Sequence, residues 1–171
     1  MCCTQNKTTM EINKTGLLFV CLGNICRSPA AESVMNKLLK EKHRENEFII
    51  DSCGIGPWHV GQRSDKRMIE AGEKRGYEFN HRGRQIDVED FDKFEYIIGM
   101  DEENIRDILS FARNEEDRKK VYRMSSFLRR YKGQKTIPDP YFGGTEGFEF
   151  VLDLLEDATE GLLIFLDKQK Q

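Results

Sequence analysis

Residues 21–28, CLGNICRS, are the most informative segment of this chain of 171 residues. An apolar run at 17–20 (LLFV) precedes the segment and predicts a buried strand. Ser28 is a favourable N-cap and Pro29 suits the first helical position, so a helix is predicted to begin there. The segment is therefore predicted to be a short loop that joins a strand to a helix N-terminus.

The residue types in this loop favour the binding of an oxyanion. Gly23 and Asn24 tolerate positive φ, so the backbone can curl and point successive N–H groups inward beside a helix N-terminus. These groups and the charge of Arg27 would favour the thiolate form of Cys21. Arg27 can also bind two phosphate oxygens, and Ser28 can donate a hydrogen bond to the sulfur. The loop thus predicts a cysteine nucleophile that attacks phosphorus.

The composition is that of a globular protein with one hydrophobic core. Residues 1–15 are polar and are predicted to be a disordered N-terminal extension, which leaves residues 16–171 as a single domain. The net charge of −3 gives no basic surface for nucleic acid, and no apolar run has the ~20 residues of a membrane helix. We expect a cytoplasmic monomer that binds neither nucleic acid nor membrane.

The cysteine pattern fits a reducing compartment. The five cysteines all lie in the first third of the chain, and an odd number argues against a disulfide framework: Cys2, Cys3, Cys21, Cys26 and Cys53. A zinc site at Cys21 and Cys26 is disfavoured, because the three histidines are scattered and no second cysteine pair follows. We therefore expect no metal and no cofactor.

Apolar periodicity along the chain alternates between strands and helices. The first helix is predicted to run to about His43, followed by a buried strand at 48–50, a turn at 51–54, a helix at 64–75, a strand at 94–100 and a loop at 133–144. Two more helices follow from apolar residues at helical spacing: Ile105, Ile108, Leu109 and Ala112, then Val151, Leu154, Leu155, Ala158, Leu162 and Phe165. This alternation predicts an α/β fold with a parallel sheet covered on both faces, and ligands beyond the carboxyl ends of its strands.

A second segment, residues 138–142 (PDPYF), offers a general acid. Hydrolysis of an aryl phosphate needs an acid for the departing phenolate and then a base for water, and one carboxylate can serve both roles. Asp139 is the preferred candidate among 30 carboxylates, because two prolines stiffen its loop and two aromatic residues follow it.

Together, CLGNICRSP and PDPYF resemble the two signature segments of the low-molecular-weight protein tyrosine phosphatases. The likeness extends to residues 51–52, 58–61, 81, 84–86 and 100–102, and it covers about 16–168. It implies a four-stranded parallel sheet flanked by helices, a three-layer Rossmann- or flavodoxin-like architecture. It also implies metal-independent hydrolysis of phosphotyrosine in proteins or peptides through a phosphocysteine, with inorganic phosphate as product, as well as acid phosphatase activity on small aryl phosphates.

The resemblance assigns a role to each matching residue. Cys21, Arg27 and Asp139 are the expected catalytic residues. The expected phosphate-binding residues are Leu22, Gly23, Asn24, Ile25, Cys26 and Ser28. The aromatic slot for the substrate is expected from Trp58, Tyr141 and Phe142. Asn24, Ser52 and His81 are expected to brace the loop, and Cys26 to trap oxidised Cys21 as a reversible disulfide.

Other functions of such a loop are weaker alternatives. Thioredoxin-coupled arsenate reductases need a downstream cysteine pair, and no cysteine follows Cys53. Protein-arginine phosphatases of the same family typically carry threonine at the position of Ile25, whose apolar side chain suits a phenyl ring better. A non-catalytic phosphate-binding signalling module would be expected to lack the thiol, the arginine or the acid, and all three are present.

Overall fold

The computed structural model describes residues 13–171, which contain one parallel sheet of four strands in the order β2-β1-β3-β4. The strands are β1 (Thr15–Cys21), β2 (Phe48–Gly54), β3 (Tyr96–Gly99) and β4 (Val121–Arg123). The helices are α1 (Arg27–Glu41), α2 (Lys66–Glu73), α3 (Asp90–Lys93), α4 (Glu102–Phe111), α5 (Glu115–Arg118) and α6 (Thr145–Gln169). Short 3₁₀ turns occupy Glu45–Glu47 and Met124–Phe127.

The predicted α/β class with three layers is confirmed, and β1 shows why. Its side chains alternate between the two faces of the sheet, and both faces are buried. Leu17 and Phe19 pack into a core shared with α1, α2 and α6. Leu18 and Val20 pack into a second, smaller core that includes Phe91 of α3 and further residues: Cys53, Ile86, Phe94, Ile97 and Ile108.

The second strand differs from its prediction. The sequence predicts a buried strand at 48–50 and a turn at 51–54, but β2 continues to Gly54 because it pairs with β1 along its whole length. Ile49 is half exposed, since β2 forms an edge of the sheet. The fourth strand, β4, has three residues and was not predicted from the local pattern.

The start of α1 also differs from its prediction. Helical structure begins at Arg27, the N-cap position falls on Cys26, and no side chain caps the helix. Ser28 is therefore not the N-cap, because its hydroxyl is engaged by Cys21 and Asn24. At the N-terminus, residues 1–12 of the predicted disordered extension lie outside the described residues, and Thr15 already belongs to β1.

The carboxyl ends of the parallel strands gather the loops at one edge of the sheet. The chain leaves β1 on one side to form β2 and returns on the other side to form β3. This reversal of strand order next to β1 is where open α/β sheets bind ligands. Within residues 13–171, no helix is long and apolar enough to cross a membrane.

Candidate active site

The phosphate loop, residues 21–27, is held with its carbonyl groups turned outward. Three backbone hydrogen bonds join it to the segment 55–65: Ile55 N to Cys21 O (3.0 Å), Gly56 N to Leu22 O (3.0 Å) and Asp65 N to Ile25 O (2.7 Å). Among the described residues, none accepts a hydrogen bond from the amides of residues 22–26. These amides are therefore free to donate to a bound anion, as an oxyanion cradle requires.

Asn24 is the buried centre of the loop's support. Its φ of 56° is unusual for a residue other than glycine, so other contacts must hold it. Its Nδ2 donates to Ser28 Oγ (2.8 Å) and Ser52 Oγ (3.0 Å). Its Oδ1 accepts from His81 Nε2 (2.7 Å) and Arg84 N (3.0 Å). These hydrogen bonds, rather than any contact with the cleft, occupy the whole side chain.

Cys21 is buried at the end of β1, and Ser28 is its polar neighbour. The Cys21 Sγ lies 3.0 Å from Ser28 Oγ. Because Asn24 donates to this hydroxyl oxygen, its proton is available to the sulfur or to Cys53 O, which lies 3.3 Å away. A hydrogen bond to the sulfur favours a thiolate both as nucleophile and as leaving group.

Arg27 is almost fully buried and is aimed by two acceptors. Its Nη1 donates to Asp101 Oδ2 (2.5 Å) and to Ile137 O (3.0 Å). Burial lowers the pKa of Arg27, but Cys21, Asp101 and Asp139 together outweigh burial and raise it. The guanidinium therefore stays charged, with Nη2 turned to the opposite wall of the cleft.

Asp139 forms that opposite wall. Its Oδ2 lies 3.6 Å from Arg27 Nη2, and its Oδ1 accepts a hydrogen bond from Tyr141 N (3.0 Å). The carboxyl group is 37% exposed, so water can reach it. A phosphate bound by Arg27 would lie within reach of this acid.

The mouth of the cleft is aromatic. The Trp58 ring lies directly over Gly56, where any Cβ would overlap the indole, so this close approach requires glycine. Tyr141 and Phe142 pack edge to face with ring centroids 4.9 Å apart, and Phe142 is 92% exposed. Arg67 donates a hydrogen bond to Tyr141 O (2.9 Å) and so holds the backbone that carries these two rings.

Three segments contribute residues to the lining of the resulting cleft: 21–23 with 25–27, 58–59, and Asp139 with Tyr141 and Phe142. The sequence model of the family described as low molecular weight phosphotyrosine protein phosphatase matches residues 16–171. This chain belongs to that family.

Individual relatives agree along nearly their whole length. The low molecular weight phosphotyrosine protein phosphatase of Schizosaccharomyces pombe is 40% identical over 148 residues, which are 86% of this chain and 94% of the relative. The crystal structure of a protein tyrosine phosphatase from Entamoeba histolytica has a TM-score of 0.88 and 43% identity, and covers 92% of this chain and 100% of that one. A Drosophila arginine phosphatase has a TM-score of 0.82 and 31% identity, with 88% and 96% covered.

For this member of the phosphotyrosine protein phosphatase family, the structure separates the predicted site residues into two sets. Most line the cleft: Cys21, Leu22, Gly23, Ile25, Cys26, Arg27, Trp58, Asp139, Tyr141 and Phe142. Asn24, Ser28, Ser52 and His81 lie behind the loop and contact one another or Cys21. The side chains of Asn24 and Ser28 thus support the loop and the Cys21 sulfur and do not line the cleft.

Several residues that the structure places around the site have no role predicted from the sequence. Asp101 aims Arg27, Arg67 holds Tyr141, and Glu32 accepts a hydrogen bond from Ser52 Oγ (2.7 Å). Burial raises the pKa of Glu32 to about 7 and lowers the pKa of His81. Residues 100–102 were part of the resemblance, and this was the one signal that could have pointed to Asp101.

Proposed function

We propose that this chain hydrolyses phosphotyrosine and small aryl phosphates through a phosphocysteine, without a metal. The observation that carries the proposal is the Arg27–Asp139 contact of 3.6 Å beside Cys21. It brings a nucleophile, a phosphate-binding cation and a proton donor into one aromatic cleft. Family membership supports the same reaction.

In the first step the Cys21 thiolate attacks phosphorus, and the bond from phosphorus to the phenolic oxygen breaks. The loop N–H groups and Arg27 hold the three non-bridging oxygens, whose charge is stabilised in the transition state. Asp139, in its protonated form, gives its proton to the departing oxygen, and tyrosine leaves. The product is a Cys21 thiophosphate monoester.

In the second step water attacks phosphorus on the side that tyrosine has left. Asp139, now ionised, takes a proton from the water, and the bond between phosphorus and sulfur breaks. Cys21 leaves as a thiolate, which the Ser28 hydroxyl stabilises from 3.0 Å. Inorganic phosphate is released, and the enzyme returns with Asp139 protonated.

Replacement of the nucleophile tests the reaction. Cys21→Ser is expected to bind phosphate or vanadate and to lose at least about 10⁴-fold in kcat, in line with other nucleophile deletions. Binding is measured by calorimetry and turnover with an aryl phosphate. Cys53→Ala removes another buried thiol outside the cleft and should keep its activity. Turnover by Cys21→Ser would refute the assignment, and an inactive wild type would indicate a non-catalytic phosphate-binding module.

Phosphoarginine is the alternative substrate, because one structural neighbour is an arginine phosphatase. Ile25 lines the cleft with an apolar side chain, which supports an aryl substrate. We expect wild-type kcat/KM to be higher for phosphotyrosine than for phosphoarginine, and Ile25→Thr to shift the ratio toward phosphoarginine. A wild-type preference for phosphoarginine would reverse the choice.

We further propose that Cys26 protects the oxidised nucleophile. Peroxide would convert the Cys21 thiolate to a sulfenic acid, and the Cys26 thiol would displace water from it to form a disulfide that external thiols reduce. Burial raises the pKa of Cys26, so this thiol is protonated in the reduced protein and gives up its proton as it attacks the sulfenic acid. Recovery of activity after peroxide and dithiothreitol should be poorer in Cys26→Ser than in wild type. Equal recovery would exclude the role.

We also propose where the protein acts and how it assembles. A cytoplasmic enzyme is supported by the free thiols of Cys21, Cys26 and Cys53. We propose a monomer that acts on phosphotyrosine proteins or peptides and binds neither nucleic acid nor membrane. Light scattering at micromolar concentration and fractionation of cells expressing the tagged chain test these points.

A further inference from the structure

Glu32, Asp51 and His81 form a cluster behind the phosphate loop that the proposed reaction does not use. His81 Nδ1 lies 3.2 Å from Glu32 Oε2 and 3.6 Å from Asp51 Oδ1. One ligand atom from each residue lies within 4.8 Å of the others. Glu32 and His81 are mostly buried, whereas the Asp51 side chain is 32% exposed and leaves the cluster open to solvent on one side.

The orientation of Asn24 fixes the tautomer of His81. The backbone N–H of Arg84 donates to Asn24 Oδ1, so this oxygen is an acceptor. His81 Nε2 lies 2.7 Å from the same oxygen and must therefore carry a hydrogen. In the neutral ring, Nδ1 then holds a lone pair that points at two carboxylate groups.

The lone pair of His81 Nδ1 lies among more acidic than basic side chains, which favours the binding of a cation. Arg84 is the cation that the structure places there, and it is shared between Asp51 Oδ2 and Asp90 Oδ1. Asp51 and Asp90 thus set two carboxylates against one guanidinium, and Glu32, whose pKa burial raises to about 7, adds a third negative charge when it is ionised. Ser52 is a further polar neighbour: its backbone N–H donates to Asp51 Oδ1 (2.8 Å) and its hydroxyl donates to Glu32 Oε2.

We propose that Glu32, Asp51 and His81 bind a Zn²⁺ ion, with water as the fourth ligand. One imidazole nitrogen and two carboxylate oxygens are a ligand set that zinc accepts, and tetrahedral bonds of about 2.0–2.1 Å put ligand atoms about 3.3 Å apart. The two distances from Nδ1 are close to this spacing. The second nitrogen of His81 donates to Asn24, which is the outer contact that ligating histidines usually make.

The ion would act on the loop and not in the reaction. It would connect to the phosphate loop through the His81 Nε2–Asn24 Oδ1 hydrogen bond and so hold the loop from behind. Activity should persist in a chelator, because Cys21, Arg27 and Asp139 lie outside this cluster. The site therefore stands or fails separately from the proposed function.

Cobalt serves as a spectroscopic substitute for zinc in the test. Full-length Cys21→Ser, which lacks the active-site thiolate, is titrated with Co²⁺ and then with Zn²⁺. We expect one ion per chain, with the visible absorption of tetrahedral cobalt and without sulfur-to-metal charge transfer. His81→Gln and Asp51→Asn should each weaken binding at least tenfold. His43 is an exposed histidine two residues beyond α1, and His43→Asn should leave binding unchanged.

Two results would overturn the site. One is a cobalt spectrum with sulfur charge transfer, which would place the ion on cysteines. The other is wild-type affinity in either His81→Gln or Asp51→Asn. If His81→Gln fails to fold, Asp51→Asn still decides, because its amide oxygen can accept from Ser52 N. Nitrogen NMR of the otherwise native chain adds a check, since zinc should shift Nδ1 of His81 and leave the Nε2 hydrogen in place.

Discussion

The phosphate loop and the segment 138–144 face each other across the cleft but are held very differently. The phosphate loop is supported from behind by buried side chains, above all by the hydrogen bonds of Asn24. In the opposite segment, Tyr141 and Phe142 are exposed, and a Cβ at Gly144 would meet nothing within 4 Å.

This difference matches the two tasks. A cradle that stabilises charge must keep its donors in place, because reorganisation during the reaction would cost free energy. An acid that first gives and then takes a proton must meet both the phenolic oxygen and water. Under the proposed reaction, the supported side (the phosphate loop) determines which anion binds, and the open side (residues 138–144) determines which leaving group is accepted.

Removal of the acid on the open side should have the largest effect. Asp139→Ala is expected to lower kcat about 10²–10⁴-fold for phosphotyrosine, the usual contribution of general acid catalysis. The loss should be much smaller for aryl phosphates with acidic phenols, which leave without a proton. Asp139→Asn is the matched control, since it keeps the shape and cannot transfer a proton. Equal losses for both kinds of substrate would exclude Asp139 as the acid.

A change between the two sides should have the next largest effect. Asp101→Asn keeps an oxygen to accept from Asn104 N at the start of α4 but places an NH₂ group against Arg27. We expect kcat/KM to fall about 10–100-fold, or about 1.4–2.8 kcal/mol, because Arg27 loses its alignment. Some thermal stability should be lost as well, because the buried guanidinium loses a charged acceptor. A large loss of stability with normal kcat/KM would contradict a positioning role.

On the supported side, Asn24 should affect stability. Asn24→Ala is expected to lower the free energy of unfolding by about 1–3 kcal/mol, because buried polar partners lose their hydrogen bonds. Asn24→Gly separates the two contributions, since glycine tolerates the positive φ and lacks the amide. Denaturant unfolding measures both variants. If Asn24→Gly is as stable as wild type, strain and not hydrogen bonding would explain the loss.

Asp65, which caps α2 and whose N–H holds Ile25 O, should give the smallest effect. Burial raises the pKa of Asp65, but hydrogen bonds from Arg67 outweigh it and hold the pKa below its usual range. Asp65→Ala should cost about 1 kcal/mol of stability at neutral pH. A lowered folded pKa means that this contribution is present above the unfolded pKa and is lost as pH falls through the folded one. Asp65→Asn does not titrate, so it should remove this contribution to the pH dependence of stability. If the stability difference between wild type and Asp65→Ala stays constant down to acid pH, the assignment to Asp65 is wrong.

The sequence predicted the parts of the site that are local. Cys21, Arg27 and the loop between them lie in one segment, and Asp139 lies between two prolines. Their chemical roles could therefore be predicted from short stretches of sequence. Asp101 contacts Arg27, and Arg67 contacts Tyr141, in each case 74 residues away in sequence. Periodicity along the chain does not predict contacts of such long range. Ser28 has the residue type preferred at an N-cap. Its hydroxyl contacts Cys21 and Asn24 instead, and the helix begins one residue earlier. The strand β4 is too short to show a pattern.

The anchoring of Ile137 has a kinetic consequence. Its carbonyl accepts from Arg27 and its N–H donates to Met100 O (2.8 Å), so the chain is fastened two residues before the acid. A tether of two residues spans at most about 7 Å, and Pro138 removes part of its torsional freedom. Asp139 therefore needs no large loop movement to reach the substrate before each turnover. We therefore expect added viscogen to leave kcat unchanged, with the rate limited by bond cleavage at phosphorus and not by gating.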